Sequence, residues 1–320
     1  MAISYEVMKQ RQELPLDAKV VFTKKKVREW YEHWHGDVYV SFSGGKDSTV
    51  LVDIVKGMYP DVPAVFCDTG LEYPEVREIA LRNADVVLKP KMNFKQVLEQ
   101  YGYPVVGKKQ ARMIRDLQNE SDRNKATCNL RRTGIKRDGT YSQKGKLADK
   151  WQFLAKAPFK VSEKCCDIMK KEPFKRYGDE TGRYGINATM VDESEVRKAR
   201  YMKYGCNAFD TKDPLSTPMA IWNESDVLEY IVENGIEYAG CYGEIAKTES
   251  GYKTTGEHRT GCMFCMFGIQ FDGEPNRFQR MERDYPKQYD YCINKLGIGD
   301  VLDYAGIPYV YQPTIFDMEE

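Results

Sequence analysis

The run Val38-Tyr-Val-Ser-Phe-Ser-Gly-Gly-Lys-Asp-Ser-Thr49 reads as a buried strand, a glycine turn and the first turn of a helix. Val38, Val40 and Phe42 supply a short β-prone stretch. Ser43-Gly44-Gly45 turns the chain with no Cβ in the way, and Lys46 to Gly57 continues as a helix. Such a loop points consecutive backbone N–H groups and the helix N-terminus at one spot, where an anion meets unpaired donors and a partial positive charge. Ser43 and Ser48 add hydroxyl donors, and Lys46 adds a full charge. Asp47 repels phosphate unless a divalent cation intervenes, so it is assigned to Mg²⁺ or to bracing the loop. The Walker pattern needs four residues between its glycines and Lys-Ser or Lys-Thr after them, and this run has neither.

These residues carry a resemblance. Ser43-Gly-Gly-Lys-Asp-Ser48 resembles the pyrophosphate-binding loop of the adenine nucleotide α-hydrolase superfamily, whose members bind ATP or cleave it between the α and β phosphates. Further matches narrow it to the phosphoadenosine phosphosulfate (PAPS) reductase-like family. The resemblance implies an α/β fold: a Rossmann-like (HUP-type) parallel sheet with helices on both faces, and a helical, cysteine-ligated C-terminal part. It also implies ATP with Mg²⁺, contacted by Ser41, Ser43, Gly44, Gly45, Lys46, Asp47 and Ser48, with Lys46 and Asp47 as the catalytic pair.

Working outward, the helix from Lys46 carries Val50, Leu51, Ile54, Val55 and Met58 as the core face of a βα unit. Pro63 to Cys67 is a second buried strand ending in Asp68-Thr69-Gly70. Ligands sit over C-terminal strand ends in an open parallel sheet, which lays Asp68 beside the first loop, for a ribose hydroxyl or Mg²⁺. Asp-Thr-Gly with Tyr73-Pro74-Glu75 resembles the family's second nucleotide-contacting segment. A helix over 74–83 and a strand from Asp85 to Leu88 complete a βαβαβ half.

The 320 residues, 42% apolar, can hold one large domain or a core with an appendage. No apolar run is long enough for a membrane span, and the N-terminus lacks the layout of a signal peptide, so the expected location is the cytoplasm. Nine cysteines without an export signal favour metal or redox chemistry over a disulfide framework. No repeat period appears.

Formal charge is zero but uneven: Gly107 to Lys150 holds 13 Lys and Arg against 5 Asp and Glu, an excess of 8 positive charges. This segment is expected to be a mobile loop or helical excursion, solvated or facing an anionic partner, nucleic acid included. Cys128 within it reads as an incidental thiol or as a sulfur carrier activated by Arg131 and Arg132.

Cys165-Cys166 is the second signal, because adjacent cysteines rarely pack as one apolar unit yet can ligate two irons of one cluster. Cys262-Met-Phe-Cys265 adds a Cys-x-x-Cys pair, and together they make four thiolates. Such a pattern resembles the [4Fe–4S] binding set of the adenylylsulfate-reducing branch of the family, with Zn²⁺ as the alternative. The metal is expected to staple the sheet domain to the C-terminal part, with Cys67, Cys206, Cys241 and Cys292 dispensable for it. Gly185 to Met190 reads as another strand, and Asp192-Glu193-Ser194 with Arg197 resembles the family's Glu-Ser-x-x-Arg segment, although Asn187 stands where the family often has Arg. Arg197 and Arg200 are candidate phosphate or sulfate partners. Asn223 to Asp226 starts a helix that Gly235 stops.

The expected domains are a helical lead-in over 1–36, a nucleotide-binding domain over 37–268 with the insertion 107–150, and a tail over 269–320. Assimilatory sulfonucleotide reductases of the family use a Glu-Cys-Gly-x-His segment that this sequence does not contain. The leading expectation is therefore an ATP-dependent sulfurtransferase that releases AMP and pyrophosphate, similar in layout to tRNA and DNA thiolation enzymes. A reductase with an atypical nucleophile such as Cys128, and a nucleotide-binding cluster protein without turnover, stand beside it. Oligomeric state is open, with a homodimer among the options.

Overall fold

The computed structural model describes residues 2–312. Ser4 opens helix α1 (Tyr5–Gln12), its hydroxyl accepting from the Val7 amide at 3.3 Å, and α2 (Leu16–His33) follows. Then comes the strand–turn–helix unit the sequence announces: β1 (Val38–Phe42), the turn, and α3 (Lys46–Met58). Strand β2 (Ala64–Cys67), helix α4 (Pro74–Asn83) and strand β3 (Val86–Leu88) complete the first half. Helix α5 (Phe94–Tyr101), strand β4 (Val105–Val106), and helices α6 (Lys108–Gln118) and α7 (Lys125–Thr133) come next. Helix α8 (Glu172–Thr181), β5 (Tyr184–Ile186), α9 (Glu195–Tyr204), β6 (Asn207–Ala208), β7 (Leu215–Ser216) and α10 (Glu224–Asn234) return the chain to the sheet. Hairpin β8 (Ile245–Thr248) and β9 (Gly251–Thr254) precedes β10 (Met266–Phe267), α11 (Arg277–Asp284), α12 (Pro286–Asp290) and α13 (Ile298–Ala305).

The chain divides into two units. One is built from Met1–Pro90 and Glu172–Gly261, the other from Lys91–Lys171 and Cys262–Glu320. This differs from the three consecutive domains expected, because each unit is assembled from two separated segments. In the first, six strands are ordered β3-β2-β1-β5-β7-β6, all parallel except the edge strand β6. The chain steps outward from β1 to β2 and β3, then returns to β5 on the other side of β1. The boundary between β1 and β5 is therefore a topological switch point, with a crevice at the strands' carboxyl ends.

Alternation along β1 commits its two faces to different helices. Val38 and Val40 pack with Val50, Leu51, Ile54 and Val55 of α3 and with Val27 and Trp30 of α2. Tyr39 faces the opposite side, with Tyr177 and Phe174 of α8. Helices thus cover both faces of the sheet. A buried ion pair ties α2 to α10: Lys19 Nζ donates to Asp226 Oδ2 at 2.6 Å, and Asp226 also accepts from the Asn223 amide in the capping box that starts α10. Gly235 ends that helix in the left-handed conformation, φ +61°, which costs glycine nothing.

In the second unit, β4 and β10 pair in parallel, Val105 with Met266 and Val106 with Phe267, and so join its two segments. The basic stretch is a helical excursion. Arg131 pairs with Asp116 at 3.2 Å and Arg115 with Glu163 at 2.8 Å, so part of its charge is structural. No helix among the described residues is long and apolar enough to cross a membrane.

Candidate functional site

The turn after β1 is built as its sequence requires. Gly44 has φ +75°, and a Cβ there would lie 2.2 Å from the Val76 carbonyl oxygen, so the position admits no side chain. Gly45 is the N-cap of α3. The Ser43 amide donates to Ser48 Oγ at 3.1 Å, Ser48 Oγ donates to the Gly45 carbonyl at 2.9 Å, and the Ser43 and Ser48 hydroxyls share a further bond. The serines therefore hold the loop shape as well as offering hydroxyls to a ligand. Ser41 sits on β1 opposite Val65.

Lys46 is 5% exposed, and its ammonium donates to the His258 carbonyl at 2.6 Å. The same Nζ lies 3.1 Å from Glu224 Oε1, at ion-pair distance without hydrogen-bond geometry, and 4.9 Å from the Tyr242 ring centre. Asp47 Oδ1 is cut off from solvent and has no hydrogen-bond partner among the described residues. Burial pushes the Asp47 carboxyl above the usual range, opposed first by Lys46; Glu224 pushes it further up, and Arg259 and Arg197 pull it down. Burial together with neighbouring Arg259 lowers Arg197. Lys46, Arg197 and Arg259 thus converge with Asp47 and Glu224 at one end of the sheet, Arg197 being paired with Glu193 as well, and one Asp47 oxygen is unclaimed. That is an arrangement for a polyanion and its counter-cation.

Asp68 is placed otherwise than for direct cation binding. Arg77 donates to both its oxygens at 2.8 and 2.7 Å, and this pair holds the Asp68 carboxyl low. The Gly70 amide also donates to it at 3.3 Å, and Thr69 Oγ1 donates to Glu72 at 2.6 Å, so 68–70 is a braced turn. Asn187 follows β5 with its Oδ1 buried and unpartnered among the described residues. Arg200 lies near Tyr204 and Asp213 and does not join the set around Asp47.

All four predicted metal cysteines fall in the second unit, which corrects the expectation of a staple between the sheet domain and the C-terminal part. They sense one another. The thiols of Cys165 and Cys166 lie 3.9 Å apart, and ionisation of Cys165 is disfavoured by the bond to Cys166, by burial, and by Cys166, Cys265 and Cys262. Burial and then Cys262 raise Cys265 to about 11. Cys166 is pulled down to about 6, first by its bond with Cys165, with Lys108 and Lys170 also favouring its thiolate.

Gathering thiols that oppose each other's ionisation is costly unless a cationic group neutralises them, as a metal centre does. Among the described residues no group of three or more His, Cys, Asp or Glu forms a single-ion shell. Cys165, Cys166, Cys262 and Cys265 form the candidate thiol locus of the second unit. Arg277 shapes it from behind, donating to the Cys265 carbonyl at 3.1 Å while paired with Asp272.

Four of the other five thiols are poorly placed for catalysis. Cys128 is fully buried and donates to the Asp116 carbonyl, and burial raises it, which overturns its reading as an activated carrier. Burial likewise raises Cys292, and raises Cys206 to about 12 and Cys241 to about 12. Sequence reading missed Glu224, Tyr242, His258, Arg259 and Thr260 as members of the Lys46 site. The only local signal was Tyr242 beside the glycine at 243.

Residues 37–115 match the model of the phosphoadenosine phosphosulfate reductase domain. The chain is 35% identical over 295 residues to the uncharacterized protein MJ0973 of Methanocaldococcus jannaschii, an alignment covering 88% of this chain and 53% of the relative. It is 34% identical over 84 residues to the uncharacterized protein MJ0066 of the same organism, covering 24% of this chain and 18% of that one. The chain therefore spans about half the length of the first relative and less of the second. Among solved structures, PAPS reductase from Candida auris aligns with TM-score 0.40 and 14% identity, over 82% of this chain and 99% of that one. The U34-tRNA thiolase NcsA from Methanococcus maripaludis, with its [4Fe–4S] cluster, aligns with TM-score 0.37 and 13% identity, over 90% and 81%. Through residues 37–115 the chain is thus similar to the phosphoadenosine phosphosulfate reductase domain.

Proposed function

We propose that the first unit binds ATP with Mg²⁺ and cleaves it between the α and β phosphates, and that the adenylated acceptor then receives sulfur. The observation that carries the reading is the turn after β1, where Lys46 and the start of α3 meet the unclaimed Asp47 oxygen at a switch point. In this reading Gly44 and Gly45 let phosphate oxygens approach the backbone, and Ser43 and Ser48 orient them. Lys46 compensates charge developing on the α–β bridge. Asp47 holds the cation with its free oxygen, and Arg197 and Arg259 take charge on the leaving pyrophosphate.

Cys165, Cys166, Cys262 and Cys265 would hold the [4Fe–4S] cluster, which when bound supplies a site for the transferable sulfur. Lys108 and Lys170 favour the thiolate form that such binding needs. The excess positive charge of residues 107–150 supports a nucleic acid as the acceptor.

A sulfonucleotide reductase is the second reading, favoured by the family match alone. It needs a nucleophilic thiol, and outside the four cluster cysteines every thiol whose ionisation is resolved is suppressed by burial. Anaerobic protein incubated with ATP, a sulfur donor and candidate RNA or DNA acceptors separates the readings. Acceptor-dependent pyrophosphate release with sulfur incorporated is expected; sulfite released from a sulfonucleotide would replace this reading by the second.

A further inference from the structure

The donors that would meet an anion at the loop already have occupants. The Lys46 amide donates to the Tyr242 hydroxyl at 3.3 Å, and its ammonium donates to the His258 carbonyl at 2.6 Å beside Glu224. The Gly45 amide donates to Ser43 Oγ at 3.3 Å. Tyr242 is fixed in turn, since its hydroxyl shares a short hydrogen bond with Thr260. Its ring is 2% exposed and seats over the glycine turn: a Cβ on Gly45 would stand 3.1 Å from the Tyr242 hydroxyl and 3.4 Å from Thr260 Oγ1. A phosphoryl oxygen approaching the first amide of α3 must take the place of that hydroxyl. Tyr242 precedes the β8–β9 hairpin and His258 and Thr260 follow it, so one chain excursion supplies all three contacts.

We infer that Tyr242 is a positioning residue of the nucleotide site, acting through Lys46. Its hydroxyl fills the anion position in the free protein, and its displacement sets nucleotide affinity. Glu224 and the His258 carbonyl keep the Lys46 ammonium in reserve beneath it. This rests on the reading that the loop takes a phosphate, and it adds the competitor that the phosphate must expel. Breaking the Tyr242 bond is part of the cost of binding, so removing the hydroxyl favours the bound state.

The test is calorimetric titration of the full chain with ATP·Mg²⁺ and with inorganic pyrophosphate, comparing the parent with Tyr242→Phe, Thr260→Val and Lys46→Ala. Phenylalanine keeps the ring against the ammonium and deletes only the hydroxyl. The parent's affinity should rise about two- to tenfold in Tyr242→Phe, the size of one net hydrogen bond. A merely structural tyrosine would leave affinity unchanged or weaken it, and either result overturns the inference. Should Tyr242→Phe fail to fold, Thr260→Val decides, because it removes the other hydroxyl that holds Tyr242 in place: affinity should then rise, and an unchanged or weaker affinity overturns the inference. Nucleotide binding that Lys46→Ala weakens and Tyr242→Phe leaves unchanged sinks this inference alone. If neither ATP nor pyrophosphate binds to any variant, the loop is not an anion site, and the proposed function fails with the inference.

Discussion

Lys46 shows what a sequence can and cannot disclose about one residue. Its place behind two glycines marked it as an anion ligand, because a loop's chemistry is contiguous. Its partners were illegible: Glu224 and Tyr242 lie far along the chain, and His258 contributes a backbone carbonyl, which every residue possesses. Lys46→Ala should lower turnover about a hundredfold or more if the ammonium stabilises transition-state charge, measured as kcat at saturating ATP. An effect confined to KM would assign it to ground-state binding. Asp68 makes a pH-dependent prediction. Arg77 lowers its folded-state pKa, so the pair's stabilisation is present above the unfolded value of about 4 and is lost as pH falls through the folded one. Asp68→Asn should therefore melt below the parent at neutral pH, the gap closing in acid; a gap independent of pH would contradict this.

At the scale of elements, α3, α4 and the stop of α10 at Gly235 were legible because periodicity, proline at a helix start and a terminal glycine are local signals. The strand expected over 185–190 shrank to β5, Tyr184–Ile186. Its register with β7 is Ile186 to Ser216, β7 itself is two residues long, and only the Asn187 amide carries the pairing on, donating to the Ser216 carbonyl at 2.9 Å. A partner strand's length cannot be read from the strand itself. Gly44→Ala should cost about 2 kcal/mol or more from the left-handed backbone alone, with the Val76 carbonyl in the way besides. Denaturant melting reads this directly. Between elements, Lys19→Met strands Asp226 as a buried charge at the start of α10 and should cost about 3–5 kcal/mol; a loss below about 1 kcal/mol would mean that the pair is solvated.

For the whole molecule, the sheet order and the gathering of the cysteines depend on long-range closure. The sequence placed Cys165, Cys166, Cys262 and Cys265 in one set from spacing, yet assigned them to the wrong boundary. Nothing local reveals that Val105 pairs with Met266 and so folds both cysteine pairs into one unit. Cys262→Ser should lose most bound iron or zinc, whereas Cys241→Ser should keep it, by metal and sulfide analysis of anaerobic protein; equal content in both would remove the assignment. If residues 107–150 engage nucleic acid, affinity should fall steeply with added salt, and salt-independent binding would exclude them. The central claim is cleavage at the α–β bond by the turn after β1, and ATP labelled at its α-phosphate tests it most directly. With a competent acceptor the account predicts labelled AMP from the parent and almost none from Lys46→Ala; labelled ADP from the parent, without AMP, would contradict it.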